Sequence, residues 1–143
     1  MSVFVKTYKG LEIKALVNDS VLIADILVKC IRYTDPNAIL IRGLDTGGAY
    51  NAVKPDGVCI EIPFRCTYTR LFSAPEDTII RYGRQFCLYN DATGLILDTS
   101  HTIGDLDWYD GMKFTILATN IQEYRVCVPC QNSMKRCKHM DLI

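Results

Sequence analysis

The residues of this 143-residue chain best suited to chemistry are three cysteines and a histidine near its C-terminus. Two residues separate Cys127 from Cys130, and one residue separates Cys137 from His139. A Cys-x-x-Cys pair can bend back onto one tetrahedral Zn²⁺, and a later Cys-x-His can supply the remaining ligands. We therefore predict a closed, structural zinc site of three thiolates and one imidazole, and zinc binding would supply most of the folding free energy of this short segment.

Two other interpretations of the segment stay open. In the first, its cysteines are free thiols in an unstructured tail and bind no zinc. Arg125, Lys135, Arg136 and Lys138 make it locally basic, which suits nucleic acid or an acidic protein groove, although a solvated rim around a zinc site is the commoner meaning. The Cys-Lys-His ending resembles that of SWIM-type zinc fingers. The first pair in that family is normally Cys-x-Cys, so the present spacing departs from it by one residue.

The composition limits the kinds of protein that this chain can be. The chain is 49% hydrophobic and 22% charged with a formal net charge of zero, which is typical of a folded domain and gives no long-range attraction to nucleic acid or anionic membranes. The most apolar run, residues 21–28, contains Asp25 and is too short to span a bilayer. Seven cysteines, an odd number, fit poorly with a closed disulfide framework. These features predict a soluble protein of the cytoplasm or nucleus.

The remaining cysteines and histidine do not suggest an enzyme. Cys30, Cys59, Cys66 and Cys87 lie in apolar helix-like or strand-like settings, where cysteine is usually a buried thiol. The one histidine outside the zinc motif, His101, follows a Thr/Ser-rich stretch, and no third group is placed to orient a Cys87–His101 pair. The chain has no phosphate-binding glycine loop, and a closed zinc site has no open position for an activated water. We predict a protein without catalytic activity.

The elements that position these residues begin with a hairpin and a helix. Residues 2–7 and 13–17 alternate between apolar and polar types on either side of Tyr8-Lys9-Gly10, which predicts a β-hairpin. The cluster of N-cap residues at 18–20 precedes apolar residues at helical spacing from Ile23 to Ile31. Asp35-Pro36 ends the predicted helix.

Later elements are shorter. Strands are predicted at 84–89, 95–97 and 112–117, separated by turns and by a loop at 98–106. Residues 37–83 between the helix and these strands contain further strand-like runs at 38–41, 58–62 and 66–72. Because a structureless loop of this length is uncommon inside a compact domain, we expect a β-rich insertion that extends or flanks the sheet.

The N-terminal elements resemble ubiquitin. With no gap, the hairpin and the helix share identical residues with it, namely Phe4, Val5, Lys6, Thr7, Gly10, Ile13, Val17, Ile23 and Lys29. Residues 84–117, including Ile103-Gly-Asp-Leu106 and Asp110-Gly111, follow the order of elements in its second half. The resemblance implies an α+β, ubiquitin-like β-grasp domain over residues 1–120 with the insertion at 37–83, followed by the zinc-binding tail at 121–143.

The resemblance also implies a function. The apolar patch that ubiquitin presents to its partners corresponds here to Tyr8, Cys87 and Leu117, unless the insertion or the tail covers it. Conjugation requires a flexible tail ending in two glycines, whereas Gly47-Gly48 is internal and the chain continues past its last predicted strand. We therefore expect a non-conjugated protein-interaction module or adaptor with a structural zinc, and the ubiquitin system is one setting for it. The alternative is a zinc-dependent nucleic-acid-binding protein that uses the basic tail.

Overall fold

The computed structural model describes residues 1–44, 51–75 and 77–127. The described part is α+β, with a mixed sheet and one α-helix. The helix is α1 (Ile23–Thr34). The strands are β1 (Ser2–Lys6), β2 (Glu12–Leu16), β3 (Ile39–Arg42), β4 (Asn51–Val53), β5 (Cys59–Glu61), β6 (Tyr68–Leu71), β7 (Ile80–Asn90), β8 (Leu95–Ile96), β9 (Met112–Ala118) and β10 (Gln122–Arg125). No helix in these ranges is long and apolar enough to cross a membrane.

The predicted hairpin and helix are both present. β1 and β2 pair antiparallel, and Gly10 in the turn has a φ of 80°, which glycine adopts without steric cost. The apolar stripe of α1 is buried against the sheet as its spacing predicts. Its buried residues are Ile23, Ile26, Leu27, Cys30 and Ile31.

The start of α1 differs from the sequence prediction. The residue that precedes the first helical turn is Leu22, and it has no side-chain capping bond. The first backbone N–H groups of the helix instead donate to the carbonyl oxygens of His101 (2.9 Å) and Thr99 (3.3 Å). Asn18 uses its side chain within its own turn, where it accepts from the backbone N–H of Ser20 at 3.0 Å. A distant loop therefore satisfies donors that local residues usually satisfy.

The sheet has the order β2-β1-β9-β7-β6-β3, with β8 and β10 also paired to β7. β1 and β9 are parallel neighbours, an arrangement that the resemblance to ubiquitin implies, and Val5 lies beside Phe114. The sheet is otherwise antiparallel. Buried side chains of β1, β7 and β9 face α1 and form the main core with it.

The inserted segment contributes to the sheet in two ways. β3 and β6 pair with each other and extend the sheet beyond β7. β4 and β5 form a separate hairpin that meets the main sheet at a single bridge between Ala52 and Thr119. The runs at 38–41, 58–62 and 66–72 correspond to β3, β5 and β6. β4, which lies shortly after the Gly47-Gly48 pair, was not predicted.

Residues 122–125 also depart from the sequence prediction, which placed them in the tail. They form β10, which pairs with the first part of β7, while β9 pairs with its last part along the same edge. Between these two stretches the register shifts by one residue, as in a β-bulge. Tyr124 and Val126 are buried. The segment up to Cys127 therefore belongs to the main sheet.

Phe114 provides a test of the main core. Its side chain is 1% exposed and packs between the sheet and α1. We expect Phe114→Ala to lower the free energy of unfolding by about 3–5 kcal/mol, because the lost burial adds to the cost of a cavity. The exposed neighbour is the control, since Lys113→Ala should change it by less than about 0.5 kcal/mol. Urea denaturation measures both, and equal midpoints for the two variants would contradict the packing described.

Candidate functional site

The first predicted zinc ligand, Cys127, lies two residues after the end of β10. Its neighbour Val126 donates its backbone N–H to the carbonyl oxygen of Ile79 at 2.8 Å, which ties this part of the chain to the start of β7. Cys127 itself is fully buried. The sheet therefore holds one of the four predicted ligands in a defined position.

The other three predicted ligands, Cys130, Cys137 and His139, lie outside the described residues. Within the described ranges, no group of three or more His, Cys, Asp or Glu side chains could hold a metal ion. The donor set itself, three thiolates and an imidazole, suits Zn²⁺. The zinc site accordingly stays a prediction.

Two residues of the predicted partner patch, Cys87 and Leu117, are not on the surface. They face each other across β7 and β9, and are 0% and 4% exposed. The β4–β5 hairpin and the turn after it cover them with Ala52, Ile62 and Cys66. Of the two outcomes left open by the sequence, coverage by the insertion is the one observed for these two residues, because apolar residues of the insertion remove the apolar outer face of the sheet from water.

Tyr8, the third residue of the predicted patch, is separated from Cys87. Its ring packs on that of Phe86 with the centroids 4.5 Å apart, and it adjoins the main core beneath α1. Phe86 and Cys87 are consecutive in β7, so their side chains point to opposite faces of the sheet. The three residues thus do not form one patch.

A cavity of about 430 Å³ does remain between the β4–β5 hairpin and the sheet. Its lining combines apolar groups with three charged side chains. Tyr8, Leu117, Val53 and Pro55 give the apolar part. The charged groups are Lys6, Arg84 and Asp91. We call this feature the hairpin groove.

Two of the three charged residues of the hairpin groove are held by hydrogen bonds. The Arg84 Nε–H donates to the carbonyl oxygen of Thr119 at 2.9 Å, and the guanidinium lies 5.8 Å from the ring centre of Phe86. Asp91 accepts a 2.7 Å hydrogen bond from the Thr115 hydroxyl. One acidic and two basic side chains leave the lining with a small positive excess.

The Tyr8 phenol adds a buried polar atom beside this groove. Its hydroxyl has no hydrogen-bond partner among the described residues. Burial raises the pKa of Tyr8 and the Asp35 carboxylate raises it further, while the guanidinium groups of Arg70 and Arg84 lower it. The phenol therefore stays protonated at neutral pH and is a hydrogen-bond donor.

Sequence reasoning identified Tyr8 and Leu117 but missed the hairpin side of the groove. Val53 belongs to the short, unpredicted strand β4, and Pro55 lies in the turn that follows it. The turn was predictable, because Gly57 has a φ of 88° and Asp56 accepts from the backbone N–H of Val58 at 3.0 Å. Where the hairpin folds back on the sheet depends on long-range packing that no local pattern carries.

The sequence raised Cys87 and His101 as a possible catalytic pair. No hydrogen bond joins these two residues in the described part of the chain. Cys87 lies beneath the hairpin, and burial raises its pKa to about 12, so it is a thiol and not a thiolate at neutral pH. Since the thiolate is the nucleophilic form, this environment disfavours cysteine chemistry. His101 is exposed, with its Nε2 atom 3.9 Å from Asp98 Oδ2.

The chain matches no protein-family model, and no curated protein matches it at a significant level.

Burial of Cys87 predicts a specific loss of stability in alkali. Burial raises its pKa to about 12, against about 8.5 for a free thiol, so the folded state favours the protonated form. The resulting stability is complete below the free-thiol value and declines as the pH rises towards 12. Between pH of about 9 and 11, the free energy of unfolding should fall about 1.4 kcal/mol per pH unit more steeply in the wild type than in Cys87→Ala.

Urea denaturation at several pH values measures the two slopes. Their difference isolates Cys87, because all other titrating groups are common to both proteins. Parallel slopes would contradict a Cys87 thiol shielded by the hairpin.

Proposed function

We propose that this protein is a non-conjugated, ubiquitin-like module of the β-grasp type that binds other proteins and carries one structural zinc. The observation that supports it best is the parallel pairing of β1 with β9 beside the β1–β2 hairpin, with α1 packed across them. β-Grasp domains require this arrangement. It joins strands more than a hundred positions apart in the chain, so a local hairpin-and-helix motif does not explain it.

The docking surface of this proposal is the hairpin groove. The insertion covers Cys87 and Leu117, so partners of the ubiquitin type lose the flat apolar patch that they use. The groove offers in its place an apolar floor with a few fixed charges, a combination typical of recognition sites. Its volume of about 430 Å³ suits a small number of side chains from a partner.

The absence of conjugation is supported by β10. In a conjugated modifier, the segment directly after the last strand is a flexible tail that threads an activating enzyme. Here the residues after β9 are paired to β7, and Tyr124 is 1% exposed. A strand held on both its backbone and its side chains does not serve as such a tail.

The zinc part of the proposal rests on the donor set. Cys127, Cys130, Cys137 and His139 would hold the ion, which supplies cross-links for a segment with little core of its own. Because the sheet already holds Cys127, only the three later ligands need to be brought to the metal. The ion would then order the C-terminal segment against the start of β7.

Zinc content tests this directly. Protein purified without chelators should contain about one zinc per chain, and Cys130→Ser should lose it. Cys59→Ser is the matched control, because Cys59 is an exposed thiol on the hairpin outside the predicted set. Elemental analysis of the reduced proteins measures the metal. Less than about a tenth of an equivalent in the wild type would contradict the site.

The structure sharpens the expected result of zinc removal. The backbone N–H of Val126 is bonded to Ile79, so its hydrogen-exchange protection should survive a strong chelator. Protection should change only beyond Cys127. Loss of protection throughout β10 would show that the sheet depends on the metal at this edge.

Partner binding through the hairpin groove is tested with two valines of the same hairpin. Val53 lines the groove and Val58 does not, and their side chains are similarly exposed, at 56% and 52%. We expect Val53→Asp to reduce capture of partners from cell extract by about tenfold or more, because a carboxylate would be buried in the contact. Val58→Asp should leave capture unchanged.

Quantitative mass spectrometry of the captured proteins gives the comparison. Denaturant should release all of them, since the proposal includes no covalent adduct. Equal capture by the two variants would place the binding surface elsewhere.

A further inference from the structure

β2 lies at the end of the sheet, with β1 on one side and no strand on the other among the described residues. The hydrogen bonds of the hairpin show which of its backbone groups are free. Val17 donates to the carbonyl of Met1 at 3.0 Å, and Thr7 donates to that of Leu11 at 2.8 Å. In an antiparallel pair, hydrogen-bonded and non-bonded positions alternate along the strand. The odd-numbered residues of β2 are therefore the ones bonded to β1.

The even-numbered residues consequently direct their backbone N–H and C=O groups away from β1. These residues are Glu12, Lys14 and Leu16, and all three side chains are exposed. A separate hydrogen bond supports this alternation. The Gly111 N–H donates to the Ser2 carbonyl at 2.8 Å, so the backbone carbonyl of Ser2, which lies opposite Leu16, is directed away from β2. The free edge of β2 thus carries a row of backbone donors and acceptors, and the Glu12 and Lys14 side chains project from one face of the strand.

An unpaired edge of this kind is a template for another strand. The charge pattern decides which strand fits. If two copies of β2 pair antiparallel about Ile13, each Glu12 lies opposite the partner's Lys14, and each Lys14 lies opposite the partner's Glu12. Both positions are even-numbered, so their outward backbone groups also meet. The edge is complementary to itself in this register.

The neighbouring registers lack this complementarity. Pairing about Lys14 sets the two lysines against each other, and pairing about Glu12 does the same with the two glutamates. Pairing about Ala15 places Lys14 opposite the partner's Leu16. Opposite charges directly across a sheet are favourable and like charges are unfavourable. One register is therefore selected among those that the backbone parity allows.

We propose that this protein forms a symmetric homodimer in which two β2 strands join the sheets of both copies about Ile13. The contact uses the same surface on each copy and closes on itself. The two-fold axis runs perpendicular to the sheet, so both α1 helices lie on one face. This interface is distinct from the hairpin groove and does not depend on the proposed function.

The helix side of the edge suits the same partner. A groove of about 390 Å³ runs between β2 and α1, and its apolar lining includes Ile13, Ala15 and Tyr33, the last 68% exposed. At the dimer axis the two Ile13 residues form a non-hydrogen-bonded pair, in which side chains approach most closely. The partner's Ile13 would thus cover the mouth of this groove. A single strand pair is small for an interface, so the dimer should depend on concentration.

Charge exchange tests the register. Glu12→Lys and Lys14→Glu each turn two attractive pairs into two repulsive ones, so each should weaken self-association by about tenfold or more. The double exchange Glu12→Lys/Lys14→Glu should restore it. An equimolar mixture of the two single variants should form a heterodimer, because each then presents the charge that the other lacks.

Sedimentation equilibrium of the full chain over a range of concentrations measures these constants. Lys113→Glu and Glu123→Lys are the matched controls, since both residues are exposed but lie away from β2. Circular dichroism melting checks that each variant is folded, which matters for Glu12→Lys because Lys6 lies opposite Glu12 within the hairpin. Hydrogen exchange gives a second readout: the amides of Glu12 and Lys14 should gain protection with concentration, whereas that of Ile13 is already bonded to β1.

Restoration by the double exchange, with new protection at Glu12 and Lys14, supports the dimer. A wild-type chain that stays monomeric at about 1 mM would overturn it and leave the edge to some other extended partner. Self-association that ignores both single charge changes would also overturn it, because the interface would then lie elsewhere.

Discussion

The long strand β7 is the element on which the other parts of the sheet depend. It pairs with β6 and β8 along one edge and with β9 and β10 along the other. Its side chains also join two cores, because Phe86 and Leu88 face α1 whereas Cys87 and Tyr89 face the hairpin. Buried backbone groups must be hydrogen-bonded. A buried strand of this length therefore requires neighbours on both edges, which β6 supplies from before β7 in the chain and β8, β9 and β10 supply from after it.

The second core explains why Cys87 and Leu117 are buried on the outer face of the sheet. In a sheet covered on one face only, apolar residues such as Leu117 would remain exposed and available to partners. Here the inserted β4–β5 hairpin packs on that face, and Ala52 is bridged to Thr119 at the end of β9. What is left is the opening beside the hairpin, where polar groups from β1, β7 and β9 meet apolar ones from the insertion. The insertion thus covers the apolar outer face of the sheet and leaves the hairpin groove beside it.

Sequence reasoning succeeded where the signal was local and periodic. The stripe from Ile23 to Ile31 and the alternation around Val3 and Val5 are properties of short segments, and both were confirmed. The parallel neighbours β1 and β9 were predicted through the resemblance and not from any pattern in the residues themselves.

The features that were missed are those that distant residues decide. The N–H groups at the start of α1 are satisfied by Thr99 and His101, so the nearby Asn18 gave a misleading capping signal. β10 carries little apolar alternation, and its pairing follows from the unused edge of β7. Burial of Cys87 was predicted from its apolar setting and is confirmed, but the hairpin that covers it was not identified, because its position depends on long-range packing. Both faces of the sheet around β7 are covered, by α1 and by the β4–β5 hairpin. Polar groups that no segment of the described chain satisfies therefore lie at the borders of the sheet, at the Tyr8 hydroxyl beside the hairpin groove and along the free edge of β2.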